Sequence, residues 1–131
     1  MNITPLHAWI GERLGFSEKR FERRDLDAWQ LDRLNWVLQY TRRYSRFYRR
    51  LFEHSPETIP SLEDWSVLPF TTSADLRANP NQLACVSQDE IRRVVTLPTS
   101  GTTGPSKRVY FTAADQELTV DFFKVGMSTL A

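Results

Sequence analysis

Four prolines between residues 55 and 90 place the strongest limit on how this chain can fold. They are Pro56, Pro60, Pro69 and Pro80. Proline removes a backbone donor and fixes φ, so none of them suits the interior of a long helix or a central strand. We therefore expect a connector of short turns over residues 55–90. A helical section over residues 1–54 precedes it, and a strand–loop–strand–helix section over residues 91–131 follows it.

The section before the connector has a helical period. Apolar and aromatic residues recur at spacings of three and four over roughly residues 26–54, which is typical of an amphipathic helix packed along one wide face. Asp25 is the expected N-cap of this longest helix. Thr4 and Pro5 predict the start of an earlier helix, and Gly15 predicts its end.

Short capping signals and a β-rich run follow. Two Ser/Thr-x-x-Asp spacings predict short helices over residues 62–66 and 73–78. The run IRRVVTL predicts a strand over residues 91–97, and residues 108–111 predict a second, shorter strand. Thr112 then has the position of an N-cap for a helix that begins near Ala113. The expected fold class is α/β, helix-rich, with one short β-hairpin.

Charge and composition exclude several protein classes. The 131 residues carry 17 Lys and Arg against 16 Asp and Glu, and no apolar run approaches the length of a membrane span. The single cysteine, Cys85, excludes an internal disulfide framework and is consistent with a reducing cytosol. Residues 1–50 hold 11 basic and 6 acidic groups. That excess permits an anionic partner, but a solvated helix face is the favoured interpretation, because the aromatic residues among the arginines fall on the apolar face. We expect no nucleic-acid or membrane partner.

The segment between the two predicted strands carries the chemistry. It reads LPTSGTTGPSK over residues 97–107. Glycine lets successive backbone N–H groups point toward one centre, and such a turn forms an anion-binding concavity. Serine and threonine hydroxyls add donors, and a lysine adds a mobile positive charge. The predicted phosphate-binding residues are Thr99, Ser100, Gly101, Thr102, Thr103, Gly104 and Lys107. The spacing matches neither the Walker A loop nor the dinucleotide-binding fingerprint.

The string TSGTTG followed by a lysine resembles the phosphate loop of the adenylate-forming (AMP-dependent) enzymes, among them the acyl-CoA synthetases. The flanking sequence is similar to the N-terminal region of phenylacetate-CoA ligase-like enzymes. The similar stretches run from Asn35-Trp36 through Tyr48-Arg49-Arg50, then over Leu68 to Thr72 and Asp75 to Arg77. Tyr110 and Thr112 also match the stretch after the loop. The resemblance covers roughly residues 30–123.

The resemblance implies an activity. Such enzymes join a carboxylic acid to ATP, release pyrophosphate, and pass the acyl group to a thiol, usually that of coenzyme A. The implied ligands are ATP, Mg²⁺ and coenzyme A. The later motifs of the family, which bind adenine and place a catalytic lysine, have no counterpart here. The resemblance therefore implies the N-terminal segment of a longer AMP-binding domain, with no catalytic residue or metal ligand of its own. Its implied partner is the remainder of the ligase.

Departures from the family pattern leave alternatives open. Pro105 stands one place earlier than in the usual G-x-P-K ending. An acyl-protein synthetase with a similar loop is a second possibility, and a non-catalytic helical interaction module with a remnant loop is a third. A segment of a larger domain should also expose apolar surface, which predicts self-association.

Overall fold

Helices, short turns and one hairpin make up the computed structural model, which describes residues 4–16, 21–97 and 106–128. The first helix, α1, spans Pro5–Arg13. The Thr4 hydroxyl accepts a hydrogen bond from the backbone N–H of His7 at 3.1 Å, and Gly15 follows the helix with φ of 82°. The predicted start and end of this helix are confirmed. The left-handed φ is the reason why glycine suits the position after the helix.

The long helical pattern forms two helices where the sequence predicted one. Helix α2 spans Arg23–Tyr44 and helix α3 spans Arg46–Leu51. The predicted single helix over 26–54 is therefore wrong at Ser45, whose backbone is extended. The Ser45 hydroxyl accepts from the Tyr48 N–H at 3.2 Å and donates to the Gln82 carbonyl at 2.8 Å. The start also differs, because Glu22 is the N-cap and Asp25 lies at the third helical position.

Arginine side chains stabilise the bend between these two helices. Arg42 donates to the carbonyls of Phe52 and Ser55. Arg49 donates to the Arg43 carbonyl at 2.7 Å, which is one of the unpaired carbonyls at the end of α2. The interpretation of a solvated basic face agrees with the exposure of Arg43, Arg46, Arg49 and Arg50, and the structure adds the backbone hydrogen bonds of Arg42 and Arg49.

The buried core lies against the bend. Its apolar members are Leu38, Phe52, Ile59 and Leu68, with Leu31, Tyr48 and Leu51 packed around them. Asn35 fixes the connector to α2, because its amide donates to the Ile59 carbonyl at 3.0 Å and accepts from the Ile59 N–H at 2.7 Å. Both polar groups of a buried backbone position are thereby satisfied.

The connector contains short helices, as the prolines predicted. A 3₁₀ helix spans Glu63–Val67, helix α4 spans Ser73–Ala78, helix α5 spans Pro80–Leu83, and a second 3₁₀ helix spans Gln88–Glu90. The predicted helix over 73–78 is confirmed, and the one predicted over 62–66 lies one residue later. Thr72 and Asp75 form the expected capping box of α4.

The hairpin and the last helix follow. Strand β1 spans Ile91–Leu97 and pairs antiparallel with strand β2, Lys107–Thr112. The predicted second strand over 108–111 is thus one residue short at each end. Helix α6 spans Ala113–Ser128, and Thr112 caps it through mutual hydrogen bonds with Asp115. The described residues thus form a helix-rich fold with a two-stranded antiparallel sheet, compatible with part of an α/β domain.

Helix α1 packs on α6 rather than on the longer α2. The Trp9 indole N–H donates to the Asp121 carboxylate at 2.5 Å, and Arg13 pairs with the same carboxylate at 3.0 Å. The Trp9 and Phe122 rings meet edge to face at 5.6 Å. Within the described ranges, every helix is too short or too polar to cross a membrane.

Candidate phosphate-binding site

The register of the hairpin brings the two ends of the candidate loop together. Leu97 and Lys107 are directly opposed as the last pair of the ladder. Opposed residues of an antiparallel pair lie about 4.5–5.5 Å apart between Cα atoms. Leu97 and Lys107, which flank the candidate loop in the sequence, therefore lie side by side at one end of the sheet. The predicted residues Thr99, Ser100, Gly101, Thr102, Thr103 and Gly104 lie outside the described residues.

Lys107 is the one predicted binding residue that the structure describes. It is the half-buried first residue of β2, and alternation along the strand puts it on the same face as Val109 and Phe111. That face packs against α6, since Phe111 lines a groove with Gln116 and Val120. Among the described residues no carboxylate pairs with Lys107. Its charge is thus not neutralised by the described part of the chain, as an anion-binding role requires.

Contacts on the other face of β2 fix the position of the hairpin. The Tyr110 hydroxyl donates to the Asn81 side-chain carbonyl at 2.6 Å, joining β2 to α5. Helix α4 also packs against β2. Sequence reasoning matched Tyr110 to the family pattern but missed Asn81, because these partners stand 29 positions apart and form no motif. The strand that leads out of the loop is therefore held by the connector helices.

A sizeable cavity lies at the end of the hairpin away from Leu97 and Lys107. It measures about 790 Å³. It is lined by Trp36, Tyr40, Cys85, the last two residues of the 3₁₀ helix before β1, and the start of α6. Three carboxylates, Asp89, Glu90 and Asp115, line it against one guanidinium, that of Arg92. An anion would meet net negative charge there. This cavity is consequently not an extension of the candidate phosphate site.

Two titratable groups in that cavity are shifted by their surroundings. Burial raises the pKa of Tyr40, and the nearby Cys85, Tyr44, Glu90 and Asp115 add to the effect. Burial also raises the pKa of the Cys85 thiol. Both groups are therefore held in their neutral forms at neutral pH, and Cys85 lacks the lowered pKa of a nucleophilic cysteine.

In residues 4–16, 21–97 and 106–128, no group of three or more His, Cys, Asp or Glu side chains could hold a metal ion. The donor set of the candidate loop, made of glycine amides, hydroxyls and one lysine, suits an anion rather than a metal.

Comparison with known proteins finds curated ligases that are similar to this chain. The chain is 35% identical over 95 residues to the phenylacetate-coenzyme A ligase of Aromatoleum evansii, 37% over 97 residues to that of Thermus thermophilus, and 34% over 95 residues to that of Escherichia coli. The chain is a relative of the phenylacetate-coenzyme A ligases. No protein-family model matches it. The matched residues are about 70% of this chain and 21% of each of those ligases, so the chain spans about a fifth of the length of these curated relatives.

The resemblance predicted from the sequence is confirmed. The structure also shows what the flanking residues behind this resemblance do locally. In this relative of the phenylacetate-coenzyme A ligases, Asn35 holds the Ile59 backbone and Leu68 is buried in the core. The Thr71 hydroxyl donates to the Tyr48 hydroxyl at 3.1 Å, and Asp75 caps α4. These residues are structural, so the loop and Lys107 are the candidates for direct contact with a ligand.

Proposed function

We propose that this chain supplies the phosphate-binding loop of an ATP-dependent acyl-CoA ligase that activates a carboxylic acid as an acyl-adenylate and then forms its coenzyme A thioester. Thr99, Ser100, Gly101, Thr102, Thr103, Gly104 and Lys107 bind the phosphates of ATP. The proposal is supported by the string TSGTTG-x-x-K, which stands in the sequence between the two antiparallel strands of a chain related to phenylacetate-coenzyme A ligases.

The chemistry assigns a defined task to the loop. A carboxylate oxygen of the acid attacks the α-phosphorus of ATP, the bond to the bridging oxygen breaks, and pyrophosphate leaves with its electron pair. The thiol sulfur of coenzyme A then attacks the acyl carbon, and AMP leaves. Negative charge therefore grows on the β- and γ-phosphates in the first step. Preorganised backbone N–H groups and the Lys107 ammonium stabilise that charge and fix the phosphates in line.

Mg²⁺ would bind in this scheme together with ATP. It binds phosphate oxygens and retains water ligands, so it needs few ligands from the protein. When bound, the ion neutralises phosphate charge.

The proposal assigns no catalytic residue to this chain. The acid, the adenine and the acceptor thiol would be bound by further ligase sequence, which we propose as the partner of these residues. We also propose a cytoplasmic location, consistent with Cys85 as the single cysteine. No nucleic-acid or membrane partner is proposed.

The double variant Thr102→Val and Thr103→Val tests the role of the loop. The assay uses the Thermus thermophilus ligase in which the 97 matched residues are replaced by those of this chain. Phenylacetate-dependent exchange of pyrophosphate into ATP should fall by about 10²–10³, the usual cost of lost donors at a developing charge. The matched control is Thr96→Val, on the exposed part of β1, which should exchange like the parent. Equal exchange by the double variant and the parent would reject the assignment.

A further inference from the structure

The cavity beside the start of β1 has aromatic walls. Trp36 and Tyr40 stand one turn apart on α2, and their rings stack with centroids 4.9 Å apart and planes 14° apart. Tyr110 and Phe111 of β2 line the same cavity. The stack uses one face of the Trp36 indole, and Trp36 is 53% exposed. Because the face of an aromatic ring carries negative charge density, such a wall attracts cations.

Two carboxylates near this wall have no ionic partner. Glu90 Oε2 accepts from the Ser87 N–H and hydroxyl, at 3.1 and 2.8 Å. Asp115 Oδ2 accepts from the Thr112 N–H and hydroxyl, at 2.8 and 2.9 Å. Among the described residues neither carboxylate forms a salt bridge, and each has a second oxygen outside these capping bonds. Both carboxylates are therefore available to attract a cation into the cavity.

Asp89 and Arg92 complete the charged rim of the cavity. Hydrogen bonds from Ser87 and from the backbone of Asp89, together with the charge of Arg92, lower the pKa of Asp89. This third carboxylate is consequently ionised at neutral pH, and Arg92 offsets only part of the negative charge. The rim as a whole favours a positively charged ligand.

Size and spacing select an organic cation over a metal ion. In the part of the chain that the structure describes, no three potential ligands converge as a metal ion requires. The cavity measures about 790 Å³, which is within the usual range of small-molecule pockets. An ammonium ion with alkyl substituents can contact an aromatic face while its charge is balanced by carboxylates that do not touch it directly.

We propose that the cavity formed by Trp36, Tyr40, Glu90 and Asp115 binds an organic ammonium ion. The alkyl groups lie against the indole of Trp36, and the two carboxylates balance the charge. The cavity is at the end of the hairpin away from the residues that flank the candidate loop. ATP and coenzyme A are anions, so this ligand is distinct from both, and the inference does not depend on the proposed function.

The experiment uses choline as the probe. Its matched control is the uncharged analogue in which a carbon atom replaces the nitrogen. Titration calorimetry with the 131-residue chain should show saturable binding of choline, about tenfold or more tighter than that of the carbon analogue. In NMR spectra, choline should also shift the signal of the Trp36 indole N–H.

Two variants test the assigned residues. Trp36→Leu removes the aromatic wall, and Glu90→Gln removes one charge while keeping a hydrogen-bond acceptor for the cap. Each should weaken choline binding by about fivefold or more. Trp65→Leu and Glu63→Gln make the same changes on the first 3₁₀ helix of the connector, outside the cavity. These two controls should bind choline like the parent.

Binding is also measured in the chimaeric Thermus thermophilus ligase, which should bind choline as the 131-residue chain does. Four results would overturn the proposal. They are no saturable binding of choline, equal binding of choline and its carbon analogue, unchanged binding by both Trp36→Leu and Glu90→Gln, and binding to the 131-residue chain but not to the chimaera. The last would mean that further ligase sequence fills the cavity. The double variant Thr102→Val and Thr103→Val should bind choline like the parent, so failure here and failure of the loop assignment are separate outcomes.

Discussion

The two halves of this molecule bury their side chains to very different extents. In the part of the chain that the structure describes, the buried apolar core consists of Leu38, Phe52, Ile59 and Leu68, all between residues 38 and 68. In the described part of residues 91–128, which includes both strands and α6, no residue is buried. Large apolar side chains are instead exposed there, Phe123 and Met127 among them. The half with the candidate site therefore has the smaller share of core packing.

This difference indicates that one half supplies most of the stability, while the other half supplies the exposed surface. Burial of apolar surface is the main favourable term in folding, so the α2–α3 half should determine the free energy of unfolding. The hairpin half is fixed by individual polar contacts, such as the Tyr110–Asn81 and Trp9–Asp121 hydrogen bonds. Elements with few buried contacts open at low free-energy cost, and binding segments are commonly drawn from them. The exposed apolar surface expected for a segment of a larger domain is confirmed, while self-association stays a prediction.

The largest effect should come from removing a core side chain on the packed half. Leu38 is 2% exposed, and Leu38→Ala should lower the free energy of unfolding by about 2–5 kcal/mol through lost burial and a cavity. Val120→Ala is the matched truncation on the other half and should change it by less than about 0.5 kcal/mol. Urea unfolding followed by circular dichroism measures both. Equal losses would contradict the proposed difference, because they would mean that the two halves are equally packed.

Local signals predicted much of the fold because they act through neighbouring residues. The strand over Ile91–Leu97, the Thr4 and Thr72 caps, and the start of α6 depend on side chains within three or four positions. The bend at Ser45, in contrast, depends on a residue that is far away in the sequence. Apolar spacing continues through it, since α3 keeps the same face toward the core, and the deciding partner, the Gln82 carbonyl, lies 37 positions away. A single-sequence pattern cannot show such a bond.

Ser45→Ala tests how strongly that bond supports the packed half. Ser45 is fully buried, and the change removes both the cap of α3 and the hydrogen bond to Gln82. It should lower the free energy of unfolding by about 1–2 kcal/mol. Ser66→Ala is a suitable control, because the Ser66 hydroxyl makes one exposed hydrogen bond, to the Glu63 carbonyl at 3.2 Å. If the two variants lose the same amount in urea unfolding, the bend is not a special support of the core.

The candidate site also has features that the sequence predicts and features that it does not. Glycine, hydroxyl and lysine chemistry could be recognised in the sequence because the donors lie close together, and their binding role stays a prediction. The open edge of β1 could not be predicted, because an edge depends on which strands are absent beside it. Nor could the Asn81 contact, because a single polar pair has no periodic signature. Sequence reasoning therefore predicts the donors of the loop more readily than what surrounds it.

The smallest effect concerns α4, which packs against β2 of the hairpin half and against α5, and α5 in turn packs on α3 of the other half. Hydrogen bonds from the Thr72 side chain and backbone lower the pKa of Asp75. A lowered folded-state pKa contributes stability above the unfolded value of about 3.9, and this is lost as the pH falls through the lower folded value. Thr72→Val should raise the pKa of Asp75 toward its ordinary value, whereas Thr72→Ser should keep it low. NMR titration of the Asp75 carboxyl measures the shift. An unchanged pKa in Thr72→Val would mean that the cap does not depend on this hydroxyl, and that packing from the two halves alone holds α4.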